Sequence, residues 1–387
     1  MSKKLSHDDY TVGWICPLEV EQTAALEMLD EEHDSLSQLP SDHNIYILGS
    51  INGHNVVIAG LHETGNSPAA TVVTQMRTTF PNLRFGLLVG IGGGVPVETD
   101  NGIIRLGDVV VSKPAGEHSG VIQYDHGKAH AGNFERTGAL APPPAVLLNA
   151  ARNLAVKRAR SREDPLKAHI GRIDTSIKGL RKYRYPGAAQ DYLYNPDYLH
   201  LNPRASCDKC GCDPSQRIQR STGDEDDEDD KDDEPNIVVH RGTIASGELV
   251  LRNAMLRDQL ANQYGLLCFE MEAAGALVDF PCLVIRGISD YCDSHKNNKW
   301  HGYAAATAAA YARGLFFHMP ISEVKRYISE KTEDEICHLR NRQDEQNRQE
   351  TLDWLTPINH GPQHIDYLKR RKSWTGTRLL ESAEYQA

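Results

Sequence analysis

The segment Phe85–Ile91 reads FGLLVGI and runs directly into Gly92-Gly93-Gly94. An unbroken apolar run of this length is typical of a strand that is covered on both faces. The glycines that follow predict a loop whose backbone can approach a ligand closely, because glycine has no side chain. The sequence therefore predicts a buried strand with a candidate ligand-binding turn at its carboxyl end.

The pattern on both sides of this segment alternates between strands and helices. Further strands are predicted at Thr11–Cys16, Asn44–Ser50, Asn55–Gly60, Asp108–Ser112, Ile237–His240 and Cys282–Gly287. Helices are predicted at Leu18–Leu29, Ser67–Phe80, Ala145–Lys157, Glu248–Asn262, Glu270–Val278 and Tyr303–His318. Asn52-Gly53 predicts a hairpin turn, because both residues accept a positive φ. The alternation predicts an α/β fold, a three-layer α/β/α domain with a central mixed sheet.

The charge of the chain argues against polyanionic partners. Of 387 residues, 53 are acidic and 42 are basic, but the run Asp224–Glu234 (DEDDEDDKDDE) holds much of the excess. The rest of the chain is nearly neutral and offers no basic field, so we expect no binding to nucleic acid or to a membrane. Neither a signal peptide nor a long apolar segment is recognisable, which predicts a soluble, cytoplasmic protein that acts on a small molecule.

Two regions depart from the α/β alternation. The first, about residues 157–235, contains the tyrosine-rich stretch Lys182–His200 and the acidic run at 224–234. We interpret it as an insert, and its acidic run as disordered, because the run has no apolar residue to bury. The second, residues 321–387, is polar and charged and predicts a helical linker or docking arm.

A cysteine cluster lies within the insert. Cys207, Cys210 and Cys212 form a C-x-x-C-x-C pattern, with His200 upstream. Three thiolates and an imidazole are a ligand set that zinc accepts. The alternative interpretation is a surface loop with free thiols.

Acidic residues recur where predicted strands end. Glu21 follows the first strand, Glu272 lies in FEMEAAG, and Asp290 ends VIRGISD. The carboxyl ends of parallel strands meet at one crevice, so these carboxylates could share a site. Each also has a structural explanation, since Asp290 could cap a helix, Glu21 could favour a helix N-terminus and Glu272 could be a surface residue.

In combination, these residues resemble the nucleoside phosphorylase and nucleosidase superfamily, particularly its methylthioadenosine/S-adenosylhomocysteine nucleosidase branch. The matching blocks are ICPLEVE (Ile15–Glu21), VGIGGG (Val89–Gly94), LGDVVVS (Leu106–Ser112), IASGE (Ile244–Glu248), and FEMEAAG (Phe269–Gly275) with RGISD (Arg286–Asp290). The resemblance implies a nucleoside phosphorylase-like catalytic domain over residues 8–320. It also implies a homo-oligomer, a dimer or a trimer.

The same resemblance implies roles for individual residues. Asp290 would be the general acid that protonates N7 of a purine, and Glu21 would activate a water molecule. Glu272 would bind the ribose hydroxyls. The remaining candidates for contact with the substrate are Met271, Phe269, Val250, Ser289, Gly92 and Gly93. The reaction implied is cleavage of an N-glycosidic bond of adenosine, inosine or guanosine without a metal or another cofactor.

Hydrolysis and phosphorolysis are both open at this point. Glu21 would repel an inorganic phosphate, and neither Arg84 nor Arg105 lies in an obvious phosphate motif, so the sequence favours water as the nucleophile. Thr64 and Gly65 precede a predicted helix and could hold the 5′-phosphate of a nucleotide, or simply cap the helix. A catalytically silent sensing domain is the alternative outside enzymes.

A second resemblance concerns the remainder of the chain. GVIQYDHGK (Gly120–Lys128), the segment Tyr183–Tyr198 and the tail Thr351–Ala387 look like fungal proteins in which a phosphorylase-like domain precedes a NACHT-type or ankyrin-repeat region. Related domains in immune receptors are thought to deplete purine nucleosides or nucleotides, including ATP. This resemblance keeps AMP and ATP open as substrates.

Overall fold

The computed structural model describes residues 5–200, 202, 205–220, 237–321 and 365–366. The chain divides into two units, residues 1–321 and 322–387, and the elements below belong to the first. The acidic run at 224–234 and nearly all of the predicted arm lie outside the described residues. The predicted domain boundaries remain predictions.

The strands follow the order of the chain from β1 to β14. They are β1 (Val12–Cys16), β2 (Glu31–His33), β3 (Tyr46–Ile51), β4 (His54–Gly60), β5 (Phe85–Gly94), β6 (Glu98–Thr99), β7 (Gly102–Ile103), β8 (Val109–Ser112), β9 (Val121–Gln123), β10 (Gly127–His130), β11 (Asn133–Arg136), β12 (Val239–Ser246), β13 (Leu266–Glu270) and β14 (Cys282–Asp290). The helices are α1 (Glu19–Leu26), α2 (Asn66–Thr79), α3 (Ala145–Ala159), α4 (Pro165–Ile170), α5 (Cys207–Cys210), α6 (Ala254–Tyr264), α7 (Ala273–Ala276) and α8 (His301–Phe316).

Within the described residues, ten strands form one mixed sheet. Its path runs β13-β12-β8-β14-β5-β1-β4-β3-β2, with β9 attached to β12. The central pairs β5–β14, β1–β5 and β1–β4 are parallel, whereas β2–β3, β3–β4 and β8–β14 are antiparallel. At the far end of the path, β2 carries Glu31 and Glu32, whose side chains are exposed. The parallel centre brings the carboxyl ends of β1, β5 and β14 to the same edge.

Helices cover both faces of this sheet. Trp14 on β1 stacks on Phe316 of α8, with ring centroids 6.3 Å apart. The neighbouring Ile15, which points to the other face, packs in a cluster with Val72 and Val73 of α2. Successive strand residues point to opposite faces, so α8 and α2 lie on opposite sides of the sheet. The predicted three-layer α/β/α class is confirmed.

The helix α8 lies unusually close to the sheet. Its sequence is rich in alanine, and every residue from Gly302 to Phe316 is buried. A Cβ on Gly287 of β14 would lie 1.8 Å from the carbonyl oxygen of Ala304. The close contact therefore depends on glycine at this position, which is the residue that precedes ISD at the end of β14.

Most predicted elements are present, and three differ in a way that affects the site. The glycines Gly92–Gly94 do not form a loop but end β5, because Gly93 and Gly94 pair with Phe269 and Cys268 of β13. Side chains would not fit there, since a Cβ on Gly93 would lie 2.1 Å from Sγ of Cys292. This pairing closes β13, β12, β8, β14 and β5 into a ring.

The predicted helices at Glu248–Asn262 and Glu270–Val278 are both too long. The first begins at Ala254, because Asn253 caps it by accepting a hydrogen bond from the amide of Leu256 at 3.1 Å. The second begins at Ala273, after β13 has ended at Glu270. Among the helices of the described residues, none is long and apolar enough to cross a membrane.

Candidate active site

A cleft of about 140 Å³ opens where β1, β5, β13 and β14 end. It is lined by Pro17, Leu18, Glu21, Thr64, Ile91, Gly92, Gly93, Leu249, Val250, Leu251, Phe269, Glu270, Met271, Glu272, Arg286, Ser289, Cys292, Lys296 and His301. Ligand sites of open α/β sheets form at such carboxyl ends, where residues distant in sequence meet. The convergence predicted from the acidic residues is therefore present in the structure.

The structure brings nearly all predicted site residues to this cleft. Those that line it are Glu21, Thr64, Gly92, Gly93, Val250, Phe269, Met271, Glu272 and Ser289. Val250 lies at its rim, where 56% of the residue is exposed. Asp290 is buried immediately behind the lining, bonded to Ser289 and Lys296. The roles assigned to these residues remain predictions.

Glu21 lies in the first turn of α1 and is only 3% exposed. Its carboxylate accepts hydrogen bonds from the amides of Leu18, at 2.6 Å, and Ile91, at 2.7 Å. Burial raises the pKa of Glu21 to about 8, although the guanidinium of Arg286 and these two amides work in the opposite direction. This carboxyl group can therefore exchange a proton near neutral pH.

Arg286 is the central cation of the cleft. It is buried on β14, and its Nη2 donates to Glu272 Oε2 at 3.1 Å and to Glu270 Oε2. Burial raises the pKa of Glu272 to about 6, while Arg286 opposes the shift. Separating one member of such a buried ion-pair group would leave a buried charge without a partner, which is costly. Arg286 therefore holds the two carboxylates in fixed positions.

The two neighbouring glutamates have different environments. Glu270 accepts hydrogen bonds from the amides of Glu272 and Ala273, at 3.1 and 3.0 Å, and so caps α7. Glu272 accepts from the amide of Gly65 at 3.3 Å. Glu270 therefore supports the backbone, whereas the Glu272 carboxylate is the one that the sequence motif assigns to the substrate.

Asp290 lies at the end of β14 and is 4% exposed. Its Oδ2 lies 2.8 Å from Oγ of Ser289 and 2.9 Å from Nζ of Lys296. Its Oδ1 accepts a hydrogen bond from the amide of Cys292 at 3.0 Å. The ammonium beside Asp290 gives this carboxyl group a charged neighbour that can act as a proton source.

The amides before α2 donate to carboxylates. Besides the bond from Gly65 to Glu272, the amide of Asn66 donates to Glu248 Oε1 at 3.0 Å. A 5′-phosphate bound at this turn would have to displace both carboxylates or lie beside their negative charges. The arrangement is that of a helix N-terminus capped by side chains from other elements.

The basic residues of the cleft lining, Arg286, Lys296 and His301, were missed in the sequence. Arg286 could have been recognised from the sequence, because an arginine within an apolar strand is expected to be buried and therefore needs a buried acidic partner. Lys296 follows β14 in a stretch without periodicity, and His301 is the first residue of α8, so the sequence gives no reason to choose either. The predicted zinc ligands Cys207, Cys210, Cys212 and His200 lie together, outside the cleft lining.

The amino-acid sequence of this chain is similar to that of two kinds of known protein. The chain is 44% identical over 312 residues to a nucleotide-binding leucine-rich repeat (NLR)-like protein of Hyaloscypha variabilis, covering 80% of this chain and 29% of the relative. It is 39% identical over 79 residues to the ATP nucleosidase Cap17 of Escherichia coli, covering 19% of this chain and 16% of that protein. The resemblance to a nucleosidase and to a fungal receptor-like protein is confirmed. The chain thus spans less than a third of the length of these relatives.

No family model matches the chain. Among solved structures, the futalosine hydrolase of Helicobacter pylori is similar at 16% identity and a TM-score of 0.49, over 80% of this chain and 98% of that one. A 5′-methylthioadenosine/S-adenosylhomocysteine nucleosidase of S. pneumoniae is similar at 15% identity and a TM-score of 0.49, over 80% of this chain and all of that one.

Proposed function

We propose that the chain is an N-glycosidase that hydrolyses the bond between the base and the ribose of a purine nucleoside. The observation that carries this proposal is the meeting of Glu21, Glu272 and the Asp290–Lys296 pair at one cleft. N-glycosidic cleavage needs a proton for the leaving base and negative charge near a cationic sugar, which is the division of labour found with paired carboxyls in glycoside hydrolysis. The nucleosidase Cap17, matched over part of the chain, supports the same class of reaction.

The proton for the leaving base would come from the ammonium of Lys296 by way of Asp290. The carboxylate of Asp290, 2.9 Å away, would accept the proton from Lys296 and pass it to the base, which leaves Lys296 neutral and Asp290 ionised. As the C1′–N9 bond breaks, its electron pair goes to the base, and N7 gains the proton. Ser289, bonded to the same oxygen of Asp290, would hold the carboxyl group in position.

Glu21 would act on the water. With a pKa near 8, its ionised form is a good acceptor for the proton that water loses when its oxygen bonds to C1′. The amides of Leu18 and Ile91 fix the carboxylate and limit its rotation. Glu272, held by Arg286, would accept hydrogen bonds from the ribose hydroxyls and stabilise the positive charge of the sugar.

Water is favoured over phosphate because the cations of the cleft are already paired. Among the described lining residues, Arg286 is bonded to Glu270 and Glu272, and Lys296 is bonded to Asp290. A phosphate anion would therefore meet carboxylates, and neither Arg84 nor Arg105 lines the cleft. The expected homo-oligomer stays a prediction.

ATP is the second candidate substrate. The match to an ATP nucleosidase favours it, whereas the carboxylates of Glu272 and Glu248 at the turn before α2 favour an uncharged 5′ group. The same catalytic groups would serve both substrates, since the scissile bond is identical. The difference lies in how the 5′ end of the substrate is bound.

The test is a chromatographic assay of the full chain with adenosine, inosine, guanosine, AMP and ATP, each with and without phosphate. Free base and ribose from a nucleoside in phosphate-free buffer are expected. Release that requires phosphate, with ribose 1-phosphate as the product, would make the protein a phosphorylase, and release from ATP alone would favour the second candidate. Asp290→Asn should lower turnover by roughly two to four powers of ten, and failure of the wild type in every condition would contradict the proposal.

A further inference from the structure

Four potential metal ligands meet beside α5, outside the cleft lining. Sγ of Cys210 lies 3.1 Å from Nε2 of His200 and 3.2 Å from Sγ of Cys212. Ligand atoms of His200, Cys207 and Cys212 all lie within 4.8 Å of one another. We propose that these four residues bind a structural zinc ion that fastens the insert to the segment carrying Lys296.

The backbone around the cluster gathers the three thiols. Cys207–Cys210 forms a single helical turn, and Gly211 follows with φ 69° and ψ 37°, the left-handed region that favours glycine. The chain then turns back, and the amide of Cys212 donates to the carbonyl of Cys207 at 3.1 Å. The turn therefore brings the third cysteine back beside the first.

The ligand set and its spacing fit zinc. Thiolate and imidazole ligands together favour zinc over calcium or magnesium, and a site with four protein ligands is typical of a structural ion. With Zn–S bonds of about 2.3 Å, the edges of a tetrahedral site are roughly 3.7 Å long. The Sγ atom of Cys210 lies 3.1 and 3.2 Å from two of the other ligand atoms, slightly closer than this edge, and the ligand atoms of His200, Cys207 and Cys212 lie within 4.8 Å of one another, so the cluster has the size of a single metal site.

The cluster is attached to the segment that follows β14. The amide of His200 donates to Oγ of Ser294 at 2.9 Å. The ring of His295 stacks on Tyr194, with centroids 3.9 Å apart, and lies 5.2 Å from the ring of His200. Lys296 is the next residue, and its ammonium contacts Asp290. A metal bound by His200 would therefore stabilise the backbone from which Lys296 reaches the cleft.

The decisive measurement is the zinc content of the full chain, expressed with added zinc and purified without chelator. We expect one zinc per chain by elemental analysis, and a loss to less than a tenth of that in Cys207→Ser and Cys212→Ser. Cys282→Ala, which removes a buried thiol on β14 far from the cluster in sequence, is the matched control and should keep its metal. A wild-type protein with no more zinc than Cys207→Ser would overturn the proposal.

A second measurement does not depend on the folding of a variant. Wild-type protein stripped with a chelator should melt at a lower temperature, recover on addition of zinc, and develop the visible absorption of a tetrahedral cobalt–thiolate site with Co²⁺. His200→Cys should retain the metal, because it keeps four ligands, whereas His200→Ala should bind it more weakly. A Cys210–Cys212 disulfide in the isolated protein, detected by mass without reductant and accompanied by no zinc, would contradict the site.

Discussion

Nζ of Lys296 lies 2.9 Å from Oδ2 of Asp290, and both side chains are largely buried. Burial by itself would lower the pKa of Lys296, but Asp290 outweighs it and raises that pKa above its ordinary value. The ammonium of Lys296 therefore keeps its proton at neutral pH. A proton can leave it only when a nearby base, such as a purine N7 that gains electrons, competes with the carboxylate.

We expect Lys296→Met to lower kcat by about ten- to a thousand-fold, because the proton source of Asp290 is removed. KM should change little, since the ammonium bonds to Asp290 and not to the sugar. Steady-state kinetics with the best substrate of the assay measures both. Lys296→Arg should not restore the rate, because a guanidinium keeps the charge but does not give up its proton, and Lys128→Met, on the exposed strand β10, is the control. Full activity in Lys296→Met would remove the lysine from the proton path.

The raised pKa of Glu21 predicts the pH dependence of the reaction. If Glu21 accepts a proton from water, kcat/KM should rise with pH, reach half of its plateau near pH 8 and level off above it, since the ionised form is the active one. Glu21→Gln should lose this rise together with most of the activity. A profile of kcat/KM from pH 5 to about pH 9 tests it, and a flat wild-type profile would contradict the role.

The carboxyl group of Glu21 should also make the stability of the fold depend on pH, with stability falling as the pH rises while the activity increases. Its pKa in the folded chain lies above that of an exposed glutamate, so the folded state holds the proton more tightly. Its contribution is complete below the unfolded pKa and is lost as the pH rises through about 8. Between the pKa of glutamate in the unfolded chain and pH 8, the melting temperature of the wild type should therefore fall more than that of Glu21→Gln. Parallel melting curves of the two proteins against pH would contradict the raised pKa of Glu21.

Glu272→Gln tests the sugar contact. The amide keeps the size of the side chain but loses the charge that faces Arg286 and, in the proposed complex, the ribose. We expect kcat/KM for ribonucleosides to fall by about ten-fold or more, and 2′-deoxynucleosides to be affected less, because they lack one hydroxyl partner. Competition between the two substrates measures the ratio of kcat/KM for the ribonucleoside to kcat/KM for the 2′-deoxynucleoside directly. An unchanged ratio would assign Glu272 to the support of Arg286 alone.

Gly287→Ala tests the contact between β14 and α8. The added Cβ would lie 1.8 Å from the carbonyl of Ala304, so the helix would have to move. Overpacking of this kind costs about 1–3 kcal/mol or more of the free energy of unfolding. Gly179→Ala, where a Cβ meets nothing within 4 Å, is the matched control. Chemical denaturation of both variants measures the difference, and equal stabilities would show that α8 adapts.

The elements predicted well are those whose signal is local. Periodicity located β1, and Asn52-Gly53 located the hairpin, where φ is 48° and 78°. The length of α7 could not be predicted, because its start depends on Glu270, whose side chain also contacts Arg286 on a distant strand. Local propensity carries no information about such a contact.

The sequence likewise indicated some residues of the candidate site and not others. Glu21, Glu272 and Asp290 follow from the rule that strand ends converge, combined with motifs that match a known superfamily. Lys296 reaches Asp290 only because the chain turns sharply after β14, where Cys292 has a positive φ of 53°. A cysteine in that conformation is uncommon, and nothing in the sequence YCDSHK indicates it.

The strand β2, at the end of the sheet, has a consequence for the behaviour of the protein in concentrated solution. It is three residues long, and two of these are the exposed carboxylates Glu31 and Glu32. Two molecules that approached each other along this strand would align like charges and could form few hydrogen bonds between their backbones. The end of the sheet therefore resists fibre-like growth by strand addition.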